Sequence, residues 1–101
     1  MAILIDQWNF VGPFTTTAPV LNRSGAYAIL TRPPGTSMYR VVDAGESGDL
    51  RYRLDCHDRT ECWRRNNQGE LAVAVLYCDE RSRMAVEASL RQKFNPTCGI
   101  R

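Results

Sequence analysis

The chain has 101 residues, 44% of them hydrophobic and 24% charged. That is the size of one domain with one core, and too apolar for a disordered segment. Its formal charge of +2 permits contact with nucleic acid without requiring it. The longest apolar run, Leu71 to Tyr77, falls far short of the ~20 residues of a bilayer-crossing helix. The opening Met1-Ala2-Ile3-Leu4-Ile5-Asp6 lacks the basic start and apolar length of a secretion signal, so a cytoplasmic location is expected.

Residues 1–24 show no clear period and carry Gly12-Pro13 and a threonine run; an irregular or extended lead-in is expected there. Ala26 to Thr31 reads as a buried strand, Pro33-Pro34-Gly35-Thr36-Ser37 as a turn, and Met38 to Ala44 as the returning strand of a hairpin. Ser47 and Asp49 predict a helix start, with the helix running to about His57. A rotation of about 100° per residue puts Arg53 and His57 on one face, flanked by Leu50 and Leu54. Residues 58–69 read as a polar connection that holds Trp63 and a short helix and ends in the turn Asn66-Asn67-Gln68-Gly69. Glu70 to Tyr77 predicts a strand buried on both faces. Asp79 then caps a helix that Asn95-Pro96 stops after Phe94. On that helix Val86, Leu90 and Phe94 form an apolar stripe, and Glu87 projects beside it. A carboxylate on an inward face needs a partner or a metal, because burying it alone costs several kcal/mol.

Arg51, Arg53, Arg59, Arg64 and Arg65 crowd one central stretch, read equally well as an ordinary solvated face or as a surface for nucleic acid. No two of Cys56, Cys62, Cys78 and Cys98 have zinc-knuckle spacing. Without a secretion signal, four reduced and mostly buried thiols are expected. A zinc-binding interaction module built on them is a minor alternative.

The order hairpin, helix, strand, helix, opened by Gly25-Ala26-Tyr27, resembles the GIY-YIG nuclease superfamily over residues 25–99. Asp43-Ala44-Gly45 stands where the second motif stands, and Glu46-Ser47-Gly48-Asp49-Leu50 is similar to the segment leading into the family's helix. Arg53 follows Gly45 at the spacing of the family's arginine, His57 falls where relatives carry histidine or tyrosine, and Glu87 matches the metal-binding glutamate. Phe94-Asn95-Pro96-Thr97-Cys98-Gly99 resembles the closing segment.

The resemblance implies an α+β fold with a central three-stranded, mainly antiparallel sheet flanked by helices, formed by residues 25–101. It implies a DNA endonuclease that uses one divalent ion, Mg2+ or Mn2+, held by Glu87. Tyr27 would activate or position water, Arg53 would steady the phosphate charge, and His57 would carry a proton or bind phosphate. Two positions depart from the pattern: Asp43 replaces the second motif's tyrosine and Gly99 the closing asparagine. Asp43 is therefore expected either to help bind the metal or to abolish the reaction. In the second case the domain is a degenerate one that binds nucleic acid or a protein without cutting. Specificity would come from DNA shape or a partner subunit.

Overall fold

Alternation along one central strand divides the molecule into two layers. In the computed structural model, which describes residues 1–99, that strand is β3, Gly25–Arg32. Tyr27 and Ile29 point to one face of the sheet, where they meet Leu50, Leu54 and Trp63. Ala26, Ala28 and Leu30 point to the other, where they meet Val86 and Leu90. The period-two pattern of a pleated strand thus sorts bulky side chains to one layer and mostly small ones to the other.

β3 is paired antiparallel on both sides, with β4 (Arg40–Ser47) and with β5 (Glu70–Tyr77). Ala28 faces Ala44 on one side and Ala74 on the other. This low alanine platform lets α3, Glu80–Phe94, lie close against β3 and β4. The opposite face carries two short helices, α1 (Leu50–Asp55) and α2 (Thr60–Arg65).

The sheet has five strands in the order β1-β2-β5-β3-β4, all paired antiparallel, so the expected three-stranded sheet is too small. The extra strands are β1 (Ala2–Ile5) and β2 (Trp8–Phe14), which lie within the lead-in over 1–24 expected to be irregular or extended and are paired into the sheet. They are joined by a tight turn in which Asp6 has φ 57°, and Val11 pairs with Val75 while Phe14 pairs with Val73. The strand pattern was hidden because the register shifts between Val11 and Phe14, where Gly12 adopts φ 120° and Pro13 follows. One residue of slip reverses which side chains face the core, so the period disappears from the sequence.

The remaining elements lie near their expected places. Asp79 caps α3 by accepting the Ser82 amide at 2.8 Å, and Asn95 ends it in the left-handed region at φ 45°. α1 stops at Asp55, two residues short of His57, which therefore sits in the following turn instead of on the helix. Ser47 closes β4 and accepts the Asp49 amide at 3.0 Å; the cap position belongs to Asp49.

The thiols depart from expectation. Cys62 on α2 and Cys98 form a disulfide with a Cα–Cα distance of 5.9 Å, while Cys56 is exposed and Cys78 half-buried. The two are 36 residues apart in sequence. Their meeting depends on the C-terminal segment folding back along β4, where the Cys98 amide donates to the Val42 carbonyl at 3.0 Å. A disulfide removes reduced thiols as a support for a cytoplasmic location. No helix among the described residues is long and apolar enough to cross a membrane.

Phe10 is fully buried beside Ile5, Val86 and Leu90, which makes β1–β2 part of the core. Phe10→Ala is expected to lower stability by about 3–5 kcal/mol, measured as a shift in urea denaturation with an unchanged slope. A loss below about 1 kcal/mol would mean that the segment is only appended.

Candidate functional site

An aspartate in the middle of an apolar strand has to be satisfied inside the protein. Asp43 stands between Val42 and Ala44 on β4 and is wholly buried. Its Oδ2 accepts Arg59 Nε at 2.8 Å and Trp63 Nε1 at 2.7 Å, and its Oδ1 accepts Arg91 Nη2 at 3.0 Å and the Ala44 amide at 2.8 Å. Arg91 reaches from α3 around the edge of β4 and also donates to the Ala44 carbonyl and to Gly99 O at 3.3 Å. One carboxylate therefore gathers β4, α2, α3 and the C-terminal segment. Charge-assisted bonds of this kind are the strong ones, and their loss inside a protein is costly.

Next to this cage lies a tyrosine–histidine pair. Tyr27 is buried on β3 opposite Gly45, and a β-carbon at Gly45 would collide with the Tyr27 ring and hydroxyl. Gly45 thus makes room for the Tyr27 ring. His57 Nδ1 accepts the Arg59 amide at 3.0 Å. An Nδ1 that accepts cannot carry a proton, which assigns the hydrogen to Nε2, and Nε2 bonds the Tyr27 hydroxyl. The hydroxyl then accepts from His57 and keeps its own proton to donate. The imidazole also lies on Trp63, with ring centroids 4.4 Å apart.

Burial, and then the Arg53 and Arg59 charges, lower the His57 pKa to about 4. Burial and the Asp43 carboxylate raise that of Tyr27 to about 12. Near pH 7 both groups are neutral. His57 then orients Tyr27 and is no proton store, and its 3.4 Å approach to Asp58 Oδ1 is not an ion pair.

The other expected residues border the same cluster. Arg53 acts electrostatically on both Tyr27 and His57, while its Nη2 donates to Asp58 at 3.0 Å and its side chain is one third exposed. Glu87 joins through Arg91, whose Nε lies 3.6 Å from Oε2 one helical turn away. Tyr27 and His57 are in direct contact, Asp43 meets them through Arg59, and Glu87 is reached only through Arg91.

No group of three or more His, Cys, Asp or Glu that could hold a metal occurs among the described residues. Glu87 is a single carboxylate that already faces Arg91 at 3.6 Å, and no preformed cage of metal ligands surrounds it among the described residues. Asp43 has its oxygens committed to the arginines, Trp63 and Ala44, and offers none to an ion. Cys62 and Cys98 are bonded to each other, which leaves no four-cysteine set for zinc.

Arg59, Trp63 and Arg91 were not singled out as site residues from the sequence, although a signal was present. A carboxylate at a core position of β4 demands partners, and Arg91 lies one turn beyond Glu87 on the face that overlooks β4. Comparison with known proteins finds no matching family model, no matching curated sequence and no matching solved structure.

Asp43→Ala is expected to destabilise the fold by about 3–5 kcal/mol, because it leaves Arg59 without its carboxylate, Arg91 with only Glu87 at 3.6 Å, and Trp63 Nε1 without an acceptor. Denaturation of the purified variant measures this, and a cost under about 1 kcal/mol would dismiss the aspartate as the organiser.

The folded His57 pKa lies below its usual value of about 6.5, so between the two values the unfolded chain binds the extra proton. This group's contribution is complete above about pH 6.5 and is lost as pH falls toward 4, with a slope of up to about 1.4 kcal/mol per pH unit. His57→Gln should flatten that part of the stability–pH curve, read from urea midpoints between pH 7 and 4.5. An unchanged curve would contradict a buried neutral imidazole.

Proposed function

We propose that the chain is a GIY-YIG-like domain that hydrolyses DNA phosphodiester bonds with one divalent ion, Mg2+ or Mn2+, at Glu87. The observation that carries this reading is the Tyr27–His57 pair on one face of the β3–β4 hairpin with the Arg53 charge acting on both, while Glu87 joins from α3 only through Arg91. The order hairpin, helix, strand, helix that underlies the resemblance is present as β3–β4, α1, β5 and α3, with α2 added between helix and strand.

In this reading Arg53 supplies guanidinium donors to the phosphate as charge develops on it. Tyr27, held by His57, presents a neutral hydroxyl that donates to a phosphate oxygen or positions the attacking water. Its raised pKa argues against the phenolate as base. Asp43 is a positioning residue that fixes Arg59 and Arg91. A divalent ion at Glu87 would neutralise phosphate charge and acidify water.

A second reading is favoured by one observation: Glu87 is already engaged by Arg91, and both His57 nitrogens are committed. A domain in this state binds nucleic acid without cutting it.

Supercoiled plasmid and branched DNA incubated with Mg2+ or Mn2+ separate the two readings. Nicking is expected from the native chain. Arg53→Ala should slow it by about 10²–10³-fold, and Glu87→Gln should abolish it while leaving the circular dichroism spectrum unchanged. Binding without cleavage across both metals, by a folded protein, selects the non-cutting domain.

A further inference from the structure

The central arginines divide sharply by their partners. Arg51, Arg53, Arg59 and Arg64 each face a carboxylate, at 2.9, 3.0, 2.8 and 2.8 Å respectively. Arg65 faces none among the described residues, and neither does Arg40 at the start of β4. These two side chains line the same cavity of about 160 Å3, walled by Asn66, Asn67, Gln68 and Thr97 and holding no carboxylate in its lining. It is smaller than the ~300–1,000 Å3 of sites that enclose a whole small molecule, and its surface is mainly polar.

The walls are fixed by bonds that do not use the arginines. Thr31 Oγ1 donates to Asn67 Oδ1 at 3.0 Å and accepts the Gln68 amide at 2.8 Å. Asn66 Nδ2 donates to Cys62 O at 2.8 Å, and the Cys62–Cys98 disulfide holds that wall to the segment carrying Thr97. Two exposed guanidinium groups with no carboxylate partner line one fixed polar recess, and their forks are free to take an anion.

We propose that Arg40 and Arg65 form a phosphate-group subsite, separate from the Tyr27–His57 cluster, that grips the backbone of a bound nucleic acid. The nucleic-acid source of the phosphate rests on the function proposed above; the affinity of the recess for a phosphate group does not. The recess adjoins the cluster through two chain segments, Val42 leading into Asp43 and Thr97 into Cys98 and Gly99. In this proposal the recess and the partly exposed Arg53 take separate phosphates of one strand. Guanidinium forks suit phosphate oxygens, and such contacts position the backbone without reading sequence.

The test is fluorescence anisotropy of labelled single-stranded and duplex DNA over a salt series, comparing the native chain with R40A/R65A. Both arginines are exposed and without partners among the described residues, so the variant is expected to fold and melt like the native chain. Binding should weaken by on the order of tenfold or more at 0.1 M salt, and the slope of log K against log salt should fall by about 2. An unchanged affinity and slope would overturn the subsite. If the native chain binds no DNA even at low salt, the nuclease reading fails, and titration with inorganic phosphate decides the subsite alone. Saturable NMR shifts of the Gln68 and Thr97 amides, absent in R40A/R65A, support a phosphate site of another source, and their absence rejects it.

Discussion

A single buried carboxylate organises the charged half of this protein. Asp43 cannot reach water, so β4 holds its place only while Arg59, Trp63 and Arg91 surround it. Those partners come from the turn before α2, from α2 and from α3, and the elements are thereby tied to one point. Hydrophobic contact alone sets no such register, because apolar surfaces slide at little cost whereas charge-assisted bonds tolerate little displacement. The Tyr27–His57 pair inherits its geometry from this arrangement, since the residue whose side chain holds Asp43 also donates its amide to His57.

The division of the sheet into a bulky face and an alanine face explains why the charged groups collect where they do. Long α3 rests on alanines, close enough for Arg91 to bend around the edge strand to Asp43. The other face needs only short helices, because Tyr27, Ile29, Val73 and Val75 fill the layer themselves. Polar side chains are left at the rim between the layers, where a guanidinium can keep its stem in apolar surroundings and its head in a hydrogen-bonded cluster.

Much of the central fold was legible. β5, the β3–β4 hairpin and α3 with both of its end signals follow from alternation, turn residues and caps that act locally. What the sequence concealed was non-local. β1 and β2 lost their period to the irregularity at Gly12 and Pro13, and the Cys62–Cys98 bond depends on the chain returning beside β4. The resemblance pointed to Tyr27, Arg53, His57 and Glu87 and, at Asp43, to a metal ligand or a lost reaction, whereas the structure surrounds Asp43 with four hydrogen-bonding partners. Composition signals a charge, not its counter-charge, and three-dimensional proximity supplied Arg59 and Arg91.

The contact between Gly45 and the Tyr27 ring lies within one hairpin, whereas the bond from Arg91 to Asp43 spans 48 positions of chain. Loop closure orders these events, because short-range pairings form before long-range ones. The hairpin can place the phenol early, with the neighbouring aspartate still hydrated and charged. Docking of α3 then strips the remaining hydration and adds Arg91 to the Arg59 already beside the carboxylate. A nascent chain that ends before Arg91 holds both strands of the hairpin but lacks one of the two guanidinium groups that Asp43 meets in the finished fold.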